Sequence, residues 1–129
     1  MSAYQSPRSI FEQIADSLEL SILNGEPPVG ERLLSVRDAA AELQVNVNTV
    51  VRAYGVLEAR GVIRKERGTG YFVSSSAMKT ITDRRRKVFF TEHIPVLYRD
   101  MQALGISQSE LQEHLDAEQE KNTGMNRRI

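Results

Sequence analysis

The chain contains no cysteine, which excludes disulfides and thiolate-held metals. It has no apolar run of membrane-spanning length and no charged-then-apolar segment at its start, so the expected setting is the soluble cytoplasm. Net charge is absent too: 17 lysines and arginines balance 17 aspartates and glutamates. That balance argues against indiscriminate coating of nucleic acid. It leaves a sequence-specific binder open, because phosphate contacts need local positive charge rather than a positive total. Histidine is scarce. His93 stands beside an apolar stripe and His114 on a polar helix next to Glu113, and neither belongs to a ligand or nucleophile motif. There is no nucleophile elbow and no metal-ligand spacing. No enzyme activity, cofactor or metal site is expected.

What is present suits one small domain with an appendage: 129 residues, 40% of them hydrophobic. Residues 1–8 read as a loose arm ending in Ser6-Pro7. Ser9 and Glu12 have capping-box spacing and open a helix. Along it Ile10, Ile14, Leu18 and Ile22 recur at helical spacing, widened by Ala15 and Leu23. Asn24-Gly25 ends it, and Glu26-Pro27-Pro28-Val29-Gly30 forms a loop. A second helix opens at Ser35, with Ala39, Ala40 and Leu43 as its buried face. Gln44-Val45 makes the turn. Asn46 caps a third helix, on which Val50, Ala53, Tyr54 and Leu57 share one side and Asn48, Arg52 and Gly55 the other. Residues 62–66 and 71–73 read as strands joined by the tip Arg67-Gly68-Thr69-Gly70. Ser74-Ser75-Ser76 reads as a linker, dividing the chain into domains 1–76 and 77–129.

Helix, tight turn, helix and glycine-tipped hairpin are the parts of a winged helix-turn-helix. The expected fold is mainly α with a small β-hairpin wing, followed by a short C-terminal helical dimerisation region. In such a fold the second helix of the motif presents its N-terminal residues to base edges. Helix N-termini also attract phosphate. Asparagine pairs bidentately with adenine and arginine with guanine, so Asn48 and Arg52, one turn apart, form a plausible reading pair. Arg67 at the tip suits a minor groove, where arginine responds to negative potential. Each assignment has a plainer alternative. Asn46 serves as an N-cap, Thr49 is a passive helix residue, Arg37 pairs with Glu42 and Arg67 sits on an ordinary turn.

The ordered set of residues resembles the GntR family of bacterial transcription regulators. It runs from Ile10-Phe11-Glu12-Gln13-Ile14 through Gly30-Glu31-Arg32-Leu33 and Ser35-Val36-Arg37. It continues with Leu43 and Val45, Asn48-Thr49-Val50-Val51-Arg52-Ala53-Tyr54, Leu57-Glu58 and Gly61-Val62-Ile63, and closes on Arg67-Gly68-Thr69-Gly70-Tyr71-Phe72-Val73. The Asn-x-Asn-Thr-Val-x-Arg-Ala-Tyr run and the short C-terminal part look like the YtrA-like subfamily. The resemblance implies a compact homodimer that represses transcription by operator binding, often of genes for ABC-type transporters. It places DNA contacts at Arg37, Asn46, Asn48, Thr49, Arg67 and Gly68, to which Ser35 at the start of the second helix, Thr69 at the wing tip and Arg52 as a reader are added here. Two departures stand out. Leu34 replaces the usual proline, which leaves the entry to the second helix less constrained. Val47 replaces an arginine or proline, so no contact through that arginine carries over.

Beyond the linker, Phe90, Ile94, Leu97, Met101 and Leu104 follow heptad spacing, and Pro95 kinks or splits the helix. A second copy with two-fold symmetry would cover this stripe, through Phe89, Phe90, Ile94, Leu97, Met101 and Leu104. The alternative is packing back onto the winged domain. Ser107 and Glu110 cap one more helix, with Ile106 placed to staple onto Leu111, and the tail frays from Gln119. The run Arg84-Arg85-Arg86-Lys87 reads as a solvated linker or helix face, with auxiliary DNA contact as the alternative. The C-terminal segment is too small to enclose a pocket of the ~300 Å³ that small ligands need. A small-molecule effector seated between subunits, and control by abundance alone, both remain open. The expected partners are double-stranded DNA with a palindromic operator and a second copy of the chain. The rival function is a winged-helix protein-interaction module without DNA binding.

Overall fold

The computed structural model describes the backbone of residues 8–127 and the side chains of residues 8–123. The arm expected over residues 1–8 lies outside the described residues apart from Arg8.

Helix α1 (Ile10–Leu23) starts where Ser9 Oγ accepts the Glu12 N–H at 3.3 Å. The same hydroxyl donates to the Glu12 carboxylate at 2.9 Å. Ile14, Ala15 and Ile22 are buried, whereas Ile10 is exposed. Ile10 belongs to the first turn, which faces a groove beside the third helix rather than the core. Asn24 ends α1, and Gly25 follows at φ +82°.

Helix α2 (Val36–Leu43) is capped by Ser35, whose Oγ accepts the Asp38 N–H at 3.1 Å. Ala39 and Ala40 are buried as expected, but Leu43 is not. The chain leaves α2 through Gln44 in the left-handed region, φ +56°. That turn directs Val45 toward the core in place of Leu43. Helix α3 (Val47–Ala59) buries Val50, Ala53, Tyr54 and Leu57, the face its spacing predicts.

Strands β1 (Ile63–Glu66) and β2 (Gly70–Val73) pair antiparallel, with Ile63 opposite Val73 and Glu66 opposite Gly70. The loop before α2 supplies β2 with a second neighbour. Leu33 N–H donates to Tyr71 O and Val73 N–H to Glu31 O, both at 2.9 Å, with Arg32 opposite Phe72. The hairpin is therefore flanked on β2, which ties the wing to the entry of α2. Gly70 is required at this crossing: its φ is +131°, and a Cβ there would lie 2.8 Å from Arg32 Nε.

Helix α4 (Ala77–Val88) corrects the expected boundary. Ala77 and Ile81 are fully buried in the same core as Ala15, Tyr54, Leu57 and Val73. The serines before it form a surface turn, not a linker. The compact units divide instead between Val88 and Phe89. Two apolar side chains on a polar helix suffice because they are one turn apart on the side that meets the core.

The second unit holds a π-helical turn (Phe89–His93), helix α5 (Ile94–Leu104) and helix α6 (Gln108–Arg127). Pro95 lacks an N–H and crowds the carbonyl four residues back, so the wider π turn falls just before it. Gly105 ends α5 at φ +67°, and Ser107 Oγ accepts the Glu110 N–H at 3.1 Å. Ile106 and Leu111 are both half-buried. The expected fraying from Gln119 is not observed: the backbone stays helical to Arg127. Along it Gln112 donates to Asp116 at 2.9 Å, Lys121 pairs with Glu118 at 3.4 Å and the Thr123 hydroxyl donates to Gln119 O at 2.9 Å.

Candidate nucleic-acid interface

Burial of one side of α3 leaves its first turns facing outward. Asn46 caps the helix, its Oδ1 accepting the Asn48 N–H at 2.8 Å. That oxygen is committed to the backbone, which leaves the amide NH₂ of Asn46 as its external donor. Asn48 and Arg52 are exposed and Thr49 is half-exposed. Val47 and Val51, also exposed, give this polar face two aliphatic side chains of the kind that touch a thymine methyl. The sequence reading missed both, having sorted α3 into two faces when exposure also reaches its flank. Gly55 has open space around it.

A groove of about 610 Å³ separates the first turns of α1 and α3, with Ile10, Phe11, Asn48, Val51 and Arg52 among its walls. Across it the Arg52 guanidinium lies 5.7 Å from the centre of the Phe11 ring. Nothing in the spacing of α3 signals this contact, because Phe11 is on another helix.

The other candidate contacts surround α3. Ser35 is exposed and caps α2. Arg37 is exposed and makes no ion pair among the described residues, so the alternative pairing with Glu42 is not formed there. At the wing tip Arg67, Gly68 and Thr69 are all exposed. Gly68 adopts φ +78°, and the Thr69 N–H closes the turn onto Glu66 O at 3.1 Å. Arg64 and Lys65 sit over the rings of Phe72 and Tyr71, at 5.1 and 5.7 Å, and Arg64 is also paired with Glu66.

Two buried features hold these elements in register. Tyr54 donates its hydroxyl to Leu34 O at 2.8 Å and meets Tyr71 edge-to-face at 5.0 Å. The less constrained entry expected from Leu34 is thus restrained by α3 itself. Burial, followed by the nearby Tyr71 and Glu42, pushes the Tyr54 hydroxyl up to about 12. The second feature is Glu19, a fully buried carboxylate on α1. It accepts from Arg60 at 3.0 Å, from Arg85 at 3.1 Å and from Arg84. Arg60 also bonds Asp16 at 3.1 Å, and Arg85 donates to Asp16 O at 2.8 Å. Burial raises the Asp16 carboxyl, but Arg60 and Arg8 outweigh it and hold the group below its ordinary value. Half of the basic run expected to be solvated is therefore turned inward, because a buried carboxylate needs cationic partners.

Known proteins share both the sequence and this architecture. Residues 10–73 match the family described as bacterial regulatory proteins, gntR family. The HTH-type transcriptional regulator YhcF of Bacillus subtilis is 32% identical over 110 residues, 85% of this chain and 89% of that protein. The chain belongs to the GntR family. It is YtrA-like within it: the HTH-type transcriptional repressor YtrA of B. subtilis is 34% identical over 110 residues, covering 83% of this chain and 84% of that one. Among solved structures, a GntR-family regulator from Bacteroides thetaiotaomicron superposes with a TM-score of 0.76 at 34% identity, over 88% of this chain and 99% of that chain. This GntR member is accordingly a DNA-binding transcriptional regulator with a winged helix-turn-helix, and its relatives are regulators rather than enzymes. No helix among the described residues is long and apolar enough to cross a membrane.

Proposed function

We propose that the chain is a homodimeric repressor that binds a palindromic operator in the cytoplasm. The observation that carries this is the split of α3, whose aliphatic side is fully buried while Asn48, Arg52 and the start of the helix face outward. Asn48 and Arg52 read base edges. Ser35, Arg37, Asn46 and Thr49 hold the flanking phosphates, and the tip Arg67-Gly68-Thr69 enters the adjacent minor groove. Repression is supported by the likeness to YtrA, which is named as a repressor.

Dimerisation is supported by the apolar side chains of the second unit. Phe89, Phe90, Ile94 and Leu104 are exposed, Leu97 and Met101 are half-buried, and Tyr98 adds to the same surface. Two-fold symmetry then requires half-sites about 10 bp apart or a multiple of that. Selection of bound fragments from the source genome tests the whole reading. The expected result is a palindromic site whose affinity falls steeply with salt. Equal recovery of all fragments at low salt would overturn it.

A further inference from the structure

We propose that Phe11 is a positioning residue for base reading, its ring face holding the Arg52 guanidinium ready for the major groove. This rests on the DNA-binding reading of α3 and adds a specificity-determining residue from a different helix. A guanidinium within about 6 Å of an aromatic ring centre is attracted by the ring's electron-rich face. Arg52 meets that condition at 5.7 Å. The partner chosen matters. Arg60, Arg84 and Arg85 are each held by the buried Glu19 carboxylate. Arg52 makes no ion pair among the described residues. A ring face orients the planar group while leaving its in-plane N–H fork free for the two acceptors of a guanine.

Phe11 is well placed to act as a fixed platform. It lies in the first turn of α1, where the Ser9 cap and the Arg8–Glu12 ion pair order the backbone. The ring is half-buried and lines the same groove as Arg52, Asn48 and Val51. A flexible arginine then enters the complex with part of its rotamer freedom already removed, which favours the correct base over the others.

The test compares the full chain with the variants Phe11→Leu, Phe11→Tyr, Arg52→Ala and the Phe11→Leu/Arg52→Ala double. Each is titrated with the selected operator duplex, with duplexes carrying every single base-pair change, and with a random duplex. Phe11→Leu should weaken discrimination about two- to fivefold at the base pair where Arg52→Ala also weakens it. Affinity for random duplex and the salt slope should not change. Phe11→Tyr should keep the wild-type preference, and Phe11→Leu should have no further effect once Arg52 is alanine. An unchanged preference in Phe11→Leu, an equal loss on operator and random duplex, or additive losses in the double variant would overturn the proposal. If thermal unfolding shows that Phe11→Leu does not fold, Phe11→Met takes its place with the same outcomes. A wild-type chain that binds no duplex overturns the DNA-binding reading as well. A wild-type chain that discriminates beside an unaltered Phe11→Leu overturns this proposal alone.

Discussion

Arg52 and Tyr54 stand two positions apart on one helix and have opposite roles. Arg52 is exposed and takes part in no ion pair among the described residues, so its loss should be felt in binding rather than in folding. Arg52→Ala is expected to cost about 1–3 kcal/mol of operator affinity and to relax preference at one base pair, read by titrating single-substitution duplexes. A uniform loss on every duplex would instead make it a phosphate contact. Tyr54 is buried and its hydroxyl belongs to Leu34 O. Tyr54→Phe leaves that carbonyl without its donor and should cost about 1 kcal/mol of stability near neutral pH. The pH dependence follows in sign. The hydroxyl titrates at about 12 in the folded chain against an ordinary 10.0, so burial favours its neutral form. That stability is fully present below pH 10 and is lost as pH rises toward 12. The gap between wild type and Tyr54→Phe in denaturant unfolding should therefore narrow across that window.

At the scale of elements, the winged unit is held by a core and by one buried charge. Glu19 on α1 gathers Arg60, which ends α3, and Arg84 and Arg85 of α4. Substitution to glutamine keeps the shape but removes one of the two carboxylates, Glu19 and Asp16, that face these arginines. Breaking a buried ion pair from one side costs about 3–5 kcal/mol, and the partly exposed arginines place Glu19→Gln near the lower end. The expected outcome is a loss of about 3 kcal/mol in urea unfolding. Loss of α4 from the core should follow, seen as faster amide exchange at Ala77 and Ile81. The same reasoning moves any truncation that is meant to isolate the winged unit from Ser76 to Val88.

At the scale of the whole molecule, the apolar surface of the second unit decides assembly. Phe90 is 57% and Leu104 72% exposed, and Phe90 meets the Phe89 ring edge-to-face at 5.2 Å. The combined change Phe90→Asp/Leu104→Asp is expected to convert a dimer to a monomer in sedimentation and to leave the thermal transition of the winged unit in place. Operator affinity should fall by well over tenfold, because two linked half-site contacts become one. A variant that still sediments as a dimer would place the interface elsewhere.

Much of the fold was legible in the chain itself, for reasons that are local. Capping serines at 9, 35 and 107, the asparagine at 46, the glycines at 25 and 61, and the 3.6-residue spacing of Val50, Ala53, Tyr54 and Leu57 each act within a few residues. The outward placement of Asn48 and Arg52 follows from that same spacing. What stayed hidden depends on contacts between distant segments. Leu33 pairs with Tyr71, the hydroxyl of Tyr54 reaches Leu34, and Arg84 and Arg85 reach Glu19 across 65 and 66 positions. Arg52 rests on a ring 41 positions earlier in the chain (52 minus 11). A periodic pattern shows which face of a helix is polar, but a polar group's partner is chosen only when tertiary packing removes water and brings one particular neighbour within reach.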